Sequence, residues 1–273
     1  MCTTKYEGLK KILRDMGSVL VAFSGGTDST FLLKVAYDQL GPRAVAATAV
    51  SESYPEAEFL ESKRLARLIG ARQIIFNTRE LEMPEFRQNS PQRCYFCKRE
   101  LFERMQQIAK QEGILHIIHA ENVSDQADFR PGRSAALEMG VRSPLVEVGL
   151  TKEEIRYLSR QLGLPTWQKP PFACLASRIP FGSTITRDKL RLIEQAEQIL
   201  RGVGFKQFRL RHHDQIARIE VSPEQIQLAT QPDIRSFIVQ ELKAKGYTYV
   251  TLDLEGYRTG SLLEAEHNLR GKR

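Results

Sequence analysis

A short apolar run that ends in paired glycines and leads straight into a helix constrains this chain most. Residues 19–23, Val-Leu-Val-Ala-Phe, read as a buried strand. Ser24-Gly25-Gly26-Thr27-Asp28-Ser29 follows, and then residues 29–40 carry apolar side chains at helical spacing up to Gly41-Pro42. The alternation continues. Residues 44–50, 73–76 and 115–119 read as strands. Residues 55–69, 98–110, 134–139 and 151–162 read as helices, the last opened by the capping box Thr151-Lys152-Glu153-Glu154. This order predicts an α/β fold, a parallel sheet with helices on both faces.

Residues 163–183 break the rhythm with four prolines and no period. Beyond Thr186 the order changes to a helix over 187–200, strands over 206–212 and 216–221, a helix over 233–245 and a strand over 247–252. That order predicts a smaller α+β domain with an antiparallel sheet. The expected division is 1–186 and 187–273.

Composition excludes several classes. The 273 residues are 41% hydrophobic and 27% charged, ordinary for a globular protein. No stretch is apolar enough to span a bilayer. Residues 1–17 carry charges throughout and lack the apolar core of a signal peptide. Four cysteines are too few for a disulfide-built fold. A cytoplasmic protein with reduced thiols is expected. The net charge of +7 suits phosphate-bearing ligands without arguing for nucleic acid. Residues 187–273 hold 15 Lys/Arg against 12 Asp/Glu, net +3, so no large basic surface concentrates there.

The glycines of Ser24–Ser29 let the backbone turn tightly and approach a ligand. The helix start that follows offers unpaired N–H groups and a partial positive charge. The hydroxyls of Ser24, Thr27 and Ser29 add donors, so the segment suits a pyrophosphate. Asp28 suits Mg²⁺ held against those phosphates. The loop is neither a Walker A sequence nor GxGxxG. Ser51-Glu52, after the second strand, is placed to touch adenosine.

Cys94 and Cys97 form a CxxC pair beside a predicted helix. Cys174 lies in the irregular segment, and Cys2 sits at the terminus without an assigned role. A CxxC pair in a reducing compartment reads as a metal or redox site. A single pair with no matching His argues against a four-ligand zinc site. Three thiolates can hold a cubane cluster with one open iron. Buried, inert cysteines are the plain alternative.

Ser24–Ser29 resembles the PP-loop of the ATP pyrophosphatase superfamily. The resemblance implies splitting of ATP between its α and β phosphates, with AMP activating a carboxylate or carbonyl oxygen. SGGTDS, RCYFCK, ACLASRIPFG and FRLRHHDQIARIEV, in that order across nearly the whole chain, resemble the LarE family. Those enzymes are ATP-dependent sulfur transferases that build the nickel-pincer nucleotide of lactate racemase. The resemblance implies a mononucleotide substrate, pyridinium-3,5-biscarboxylic acid mononucleotide, whose carboxylates become thiocarboxylates. It implies ATP, Mg²⁺, a sulfur donor and a hexameric assembly. In one family variant a lone cysteine, at the place of Cys174, gives up its own sulfur. In the other, three cysteines hold a [4Fe–4S] cluster, and Cys94, Cys97 and Cys174 match that pattern. Ser177, Arg178, Arg209, Arg211 and Arg258 match the places where the family binds the substrate phosphate.

Arg209 and Arg211 alternate along a predicted strand and so share a face; without the resemblance, a solvated basic face explains them. Glu121, Asn122 and Asp125 follow a strand, where they suit Mg²⁺, the reacting carboxylate or simply water. Glu194 and Glu197 share a helix face that defaults to exposed. His119, His212 and His213 receive no role, and Trp167 is expected to pack or to flank the site loop. Three other readings stand beside the sulfur transferase: a tRNA-thiolating enzyme of the same superfamily, an amide-forming synthetase, and a non-enzymatic AMP or ATP sensor.

Overall fold

The computed structural model describes residues 2–127, 131–171 and 173–258. They divide into two compact units, the first of residues 2–86 and 91–171, the second of 87–90 and 173 onward. Residues 173–186, expected with the first domain, sit here in the second unit. The last residues of the expected second domain, 259–273, lie outside the described residues.

The first unit holds a four-stranded parallel sheet. Its strands are β1 (Val19–Ala22), β2 (Ala44–Val50), β3 (Gln73–Asn77) and β4 (His116–Ile118), in the order β3-β2-β1-β4. The α/β fold expected from the alternation is therefore observed. β1 is central because its three leading residues are buried on both faces. Val19, Val21, Ala44 and Ala46 face one core, with Phe31, Leu32 and Val35 of the helix Thr27–Leu40 and Leu65 of the helix Glu56–Ile69. Leu20, Val45 and Ala47 face the other, with Phe102 and Met105 of the helix Arg93–Glu112.

A helix over Cys2–Met16 was not expected from the sequence. Its charges hide an apolar stripe, Leu9, Leu13 and Met16, which is buried in the first core. Cys2 is half-buried against that core rather than loose at a frayed end.

The second unit holds β5 (Phe208–His213), β6 (Ile216–Val221) and β7 (Tyr249–Leu252), with β6 in the middle. β5 and β6 form an antiparallel hairpin whose turn residue Asp214 has φ +51°. β7 pairs with β6 in parallel, so the sheet is mixed and the antiparallel expectation is corrected. The reason lies in the connection: the helix Pro232–Ala244 crosses between β6 and β7, and a helical crossover returns the chain in the same direction. Leu190, Ile193, Ala196 and Leu200 of the helix Arg187–Val203 are buried in this unit, as are Leu210, Ile219, Ile238 and Leu242.

Residues 87–90 join the second unit through backbone and side-chain bonds. Asn89 is fully buried at φ +53°, and its amide lies 3.2, 2.8 and 3.1 Å from the carbonyls of Ile179, Pro180 and Ser183. Gly182 N–H donates back to the Asn89 carbonyl at 3.1 Å. Asn tolerates the left-handed backbone that a residue with a bulkier side chain resists. Asn89→Ala strands buried carbonyls and is expected to lower stability by about 1–3 kcal/mol, read as a shifted denaturant midpoint with unchanged slope.

Candidate functional site

The strand order reverses at β1: β2 and β3 lie to one side and β4 to the other. Open α/β sheets bind ligands at the carboxyl ends of strands at such a reversal. The loop 24–26 occupies that position, between β1 and the helix Thr27–Leu40. Gly25 has φ +67°, and a Cβ there would meet Ser62 Cα at 3.1 Å. Both the turn and the close approach require glycine. The helix opens at Gly26 with no side-chain cap, leaving its first N–H groups for a ligand.

The loop's hydroxyls are ordered from within. Ser24 and Ser29 Oγ lie 3.2 Å apart, and Ser29 donates to the Gly26 carbonyl at 3.1 Å. Thr27, expected as a phosphate donor, spends its hydroxyl on the Thr166 carbonyl at 2.8 Å. Asp28 Oδ2 lies 2.5 Å from Lys152 Nζ and 3.4 Å from Asn122 Nδ2. Its other oxygen, Oδ1, is buried without a hydrogen-bond partner. Burial pushes the Asp28 carboxyl above its ordinary range, with Lys152 opposing. A buried, unpartnered carboxylate oxygen is the donor a hard divalent cation takes, so the expected Mg²⁺ fits here.

Residues outside the motif fasten this loop. Lys169 Nζ reaches the Gly25 carbonyl at 3.0 Å and Glu58 at 2.6 Å. Arg156 donates to the carbonyls of Trp167 and Lys169, and Tyr54 to that of Ser24. Arg160 stacks over the Trp167 ring at 5.0 Å. Ser51, expected near adenosine, bonds the buried Glu80, which also accepts from Ser53 at 2.7 Å. Asn122 is buried and Asp125 closes the turn onto its N–H. Glu121 lies 3.4 Å from Arg133, so it is not a solvated loop residue. Burial drives His119 down to about 3, leaving it neutral against Ser143 at 2.5 Å.

Cys94 and Cys97 open the helix Arg93–Glu112, Cys94 exposed and Cys97 half-buried. Their three-residue spacing places both on one helix face. Cys174, in the second unit, is half-buried just before a short 3₁₀ turn, Leu175–Arg178. Among the described residues no cluster of three His, Cys, Asp or Glu side chains stands ready for a metal ion.

The arginines of the second unit are held more tightly than a solvated face allows. Arg178 is 2% exposed and grips Glu197 with two bonds, at 2.8 and 2.9 Å. Its third nitrogen donates to the carbonyls of Ala173 and Cys174, at 2.6 and 3.0 Å, and to Ser177 Oγ. Ser177 Oγ donates to the Cys174 carbonyl at 2.7 Å. Arg211 pairs with the fully buried Glu220 at 2.8 Å and donates to the Ser177 carbonyl. Arg209 stacks over Tyr257 at 5.1 Å, its pKa lowered by burial and by Arg178. Arg258 pairs with Glu255, and His212 meets the Tyr247 hydroxyl at 3.0 Å. The exposed default fails for Glu197, which is 4% exposed.

Among known proteins, a pyridinium-3,5-bisthiocarboxylic acid mononucleotide synthase of Lactiplantibacillus plantarum is 36% identical over 263 residues, 95% of this chain and 94% of the relative. The chain belongs to the LarE family. An uncharacterized protein of Synechocystis is 44% identical over 96% of this chain and 98% of its own length. This chain also shares a stretch with an argininosuccinate synthase of Natronomonas pharaonis, 27% identical over 56% of this chain and 41% of that enzyme. No family model matches the chain. No helix among the described residues is long and apolar enough to cross a membrane.

Sequence reasoning missed Lys152, Lys169, Glu80 and Asn89. Only Lys152 carried a local signal, its place in the capping box. Gly25→Ala is expected to weaken ATP binding at least tenfold by calorimetry, because the loop must shift away from Ser62. Glu197→Ala leaves a guanidinium buried and unpaired, and is expected to cost about 3–5 kcal/mol in denaturant unfolding.

Proposed function

We propose that this LarE-family chain is an ATP-dependent sulfur transferase acting on pyridinium-3,5-biscarboxylic acid mononucleotide. The observation that carries the reading is the PP-loop at the strand-order reversal, with uncapped helix N–H groups beside Asp28. It is supported by the named activity of the L. plantarum relative. The N–H groups of the helix start bind the phosphates of ATP. Asp28 would hold Mg²⁺ through its unpartnered Oδ1, and the metal would offset phosphate charge there. A substrate carboxylate oxygen attacks the α-phosphorus, and the bond to the bridging oxygen breaks. Pyrophosphate leaves, and AMP remains on the carboxylate. Sulfide, as HS⁻, then adds to that carbonyl carbon, AMP departs with the electron pair of the C–O bond, and loss of the proton leaves the thiocarboxylate. A second round treats the other carboxylate.

The substrate phosphate is assigned to Ser177, Arg178, Arg209, Arg211 and Arg258 in the second unit, and adenosine to Ser51 and Glu52. Arg178 and Arg211 are buried and already paired with Glu197 and Glu220, so a phosphate reaches their guanidinium groups only by sharing or displacing those bonds. Arg178 and Ser177 also donate to the Cys174 carbonyl and hold the backbone of its turn. The assembly is taken as hexameric, by likeness to the family.

For the sulfur source, the three-thiolate reading is preferred to sacrifice of Cys174. Cys94 and Cys97 share one helical face, and the likeness to the three-cysteine variant names Cys174 as the third ligand. A [4Fe–4S] cluster held by these three thiolates would have one iron free to carry an external sulfide. The sacrificial route uses Cys174 alone and leaves Cys94 and Cys97 without a purpose.

Incubation with the mononucleotide, Mg·ATP and sulfide is expected to give the thiocarboxylate, AMP and pyrophosphate, identified by mass spectrometry. Anaerobic reconstitution is expected to yield about four irons per chain, one cubane, and the chain mass should be unchanged by turnover. Loss of one sulfur from Cys174 without iron would establish the sacrificial route instead. Activity surviving replacement of all three cysteines would favour an amide-forming synthetase.

A further inference from the structure

Lys152 Nζ reaches Asp28 of the glycine loop's helix from outside that motif, and nothing in the motif announces it. It is the first residue of the helix Lys152–Gln161, whose capping box fixes its backbone: Thr151 accepts from Glu154 N–H, and Glu154 accepts from Thr151 N–H. Lys5 of the N-terminal helix holds Glu154 from outside at 2.8 Å. Lys152 N–H donates to Ser124 Oγ at 3.1 Å, in the turn that follows β4. The helix start is thus pinned, while the ammonium reaches the second residue of the nucleotide helix. Lys152 is 32% exposed and Asp28 18%, so the pair borders solvent.

The pair is a conflict for the proposed chemistry, because an Asp28 engaged by an ammonium cannot also serve Mg²⁺ through the same oxygen. One oxygen, Oδ1, stays unpartnered while Oδ2 takes the ammonium. Two cations competing for one carboxylate resolve when a polyanion arrives.

We propose that Lys152 is a phosphate ligand held ready by Asp28, and that it passes to the ATP phosphates as Mg²⁺ takes the carboxylate. The inference rests on the adenylation reading and names a further residue of that site. In the ligand-free protein Lys152 neutralises Asp28 and keeps a stray divalent cation from settling there. With Mg·ATP, the metal replaces the ammonium on Asp28, and the ammonium compensates phosphate charge that the single metal leaves. A strongly hydrated point charge on a flexible stem suits such a move better than a planar guanidinium.

The test measures two affinities by calorimetry, for α,β-methylene-ATP without metal and for Mn²⁺ alone. Each is taken with the wild type, Lys152→Met and Lys152→Arg. Lys152→Met is expected to weaken the analogue about tenfold or more, the loss of one charge-assisted contact. It is expected to tighten Mn²⁺ several-fold, because Asp28 loses its competitor. Asp28→Asn in the Lys152→Met background should abolish that gain. Lys152→Arg should retain most of the analogue affinity. A structural ion pair alone would also tighten Mn²⁺ but leave the analogue's affinity unchanged, and an unchanged analogue affinity overturns the proposal. Should Lys152→Met fail to fold, Lys152→Gln carries the same two measurements. A wild type that binds no analogue would refute the nucleotide reading beneath it.

Discussion

The reversal of strand order at β1 is the constraint on which the first unit depends. A central strand needs neighbours on both sides, and here the chain lays β2 and β3 on one and β4 on the other. The crevice that this opens at the carboxyl end receives the loop after β1 and the turn after β4. Asp28 and Asn122, distant in sequence, meet there at 3.4 Å. Gly25 lets the loop press against Ser62 of the next helix, so the loop is braced as well as bent.

A second layer turns that cradle into a defined site. The segment 152–171 supplies Lys152 to Asp28, the Thr166 carbonyl to Thr27 and Lys169 to the Gly25 carbonyl. These bonds draw on backbone carbonyls and long cationic side chains, and they fix the loop before any nucleotide is present. The second unit works by the same logic around Cys174. Its carbonyl accepts from Ser177 N–H, Ser177 Oγ and Arg178, and Glu197 locks the guanidinium behind it. Truncating such a buried pair is costly because the surviving charge has no water.

The fold was legible where local pattern suffices. The β1 run, the glycine loop and the capping box at Thr151 each declare themselves within a few residues. The mixed sheet of the second unit was not legible, since strand direction follows from a crossover and not from the strand's own residues. The helix Cys2–Met16 was hidden because its apolar stripe is thin among charges. In the site, the loop residues and cysteines were visible as motifs, whereas Glu80, Glu197 and Lys169 matter through partners far along the chain. Glu197 illustrates the point: helix spacing alone gives it an exposed face, and only the folded position of Arg178 makes it a buried counter-ion.

The central claim is that this cradle activates a substrate carboxylate by α–β cleavage of ATP. Exchange of labelled pyrophosphate into ATP tests it most directly. The account predicts exchange that requires the pyridinium dicarboxylate mononucleotide, proceeds without a sulfur source and disappears in Asp28→Asn. Formation of ADP and phosphate with no exchange would place cleavage at the other bond and contradict the account.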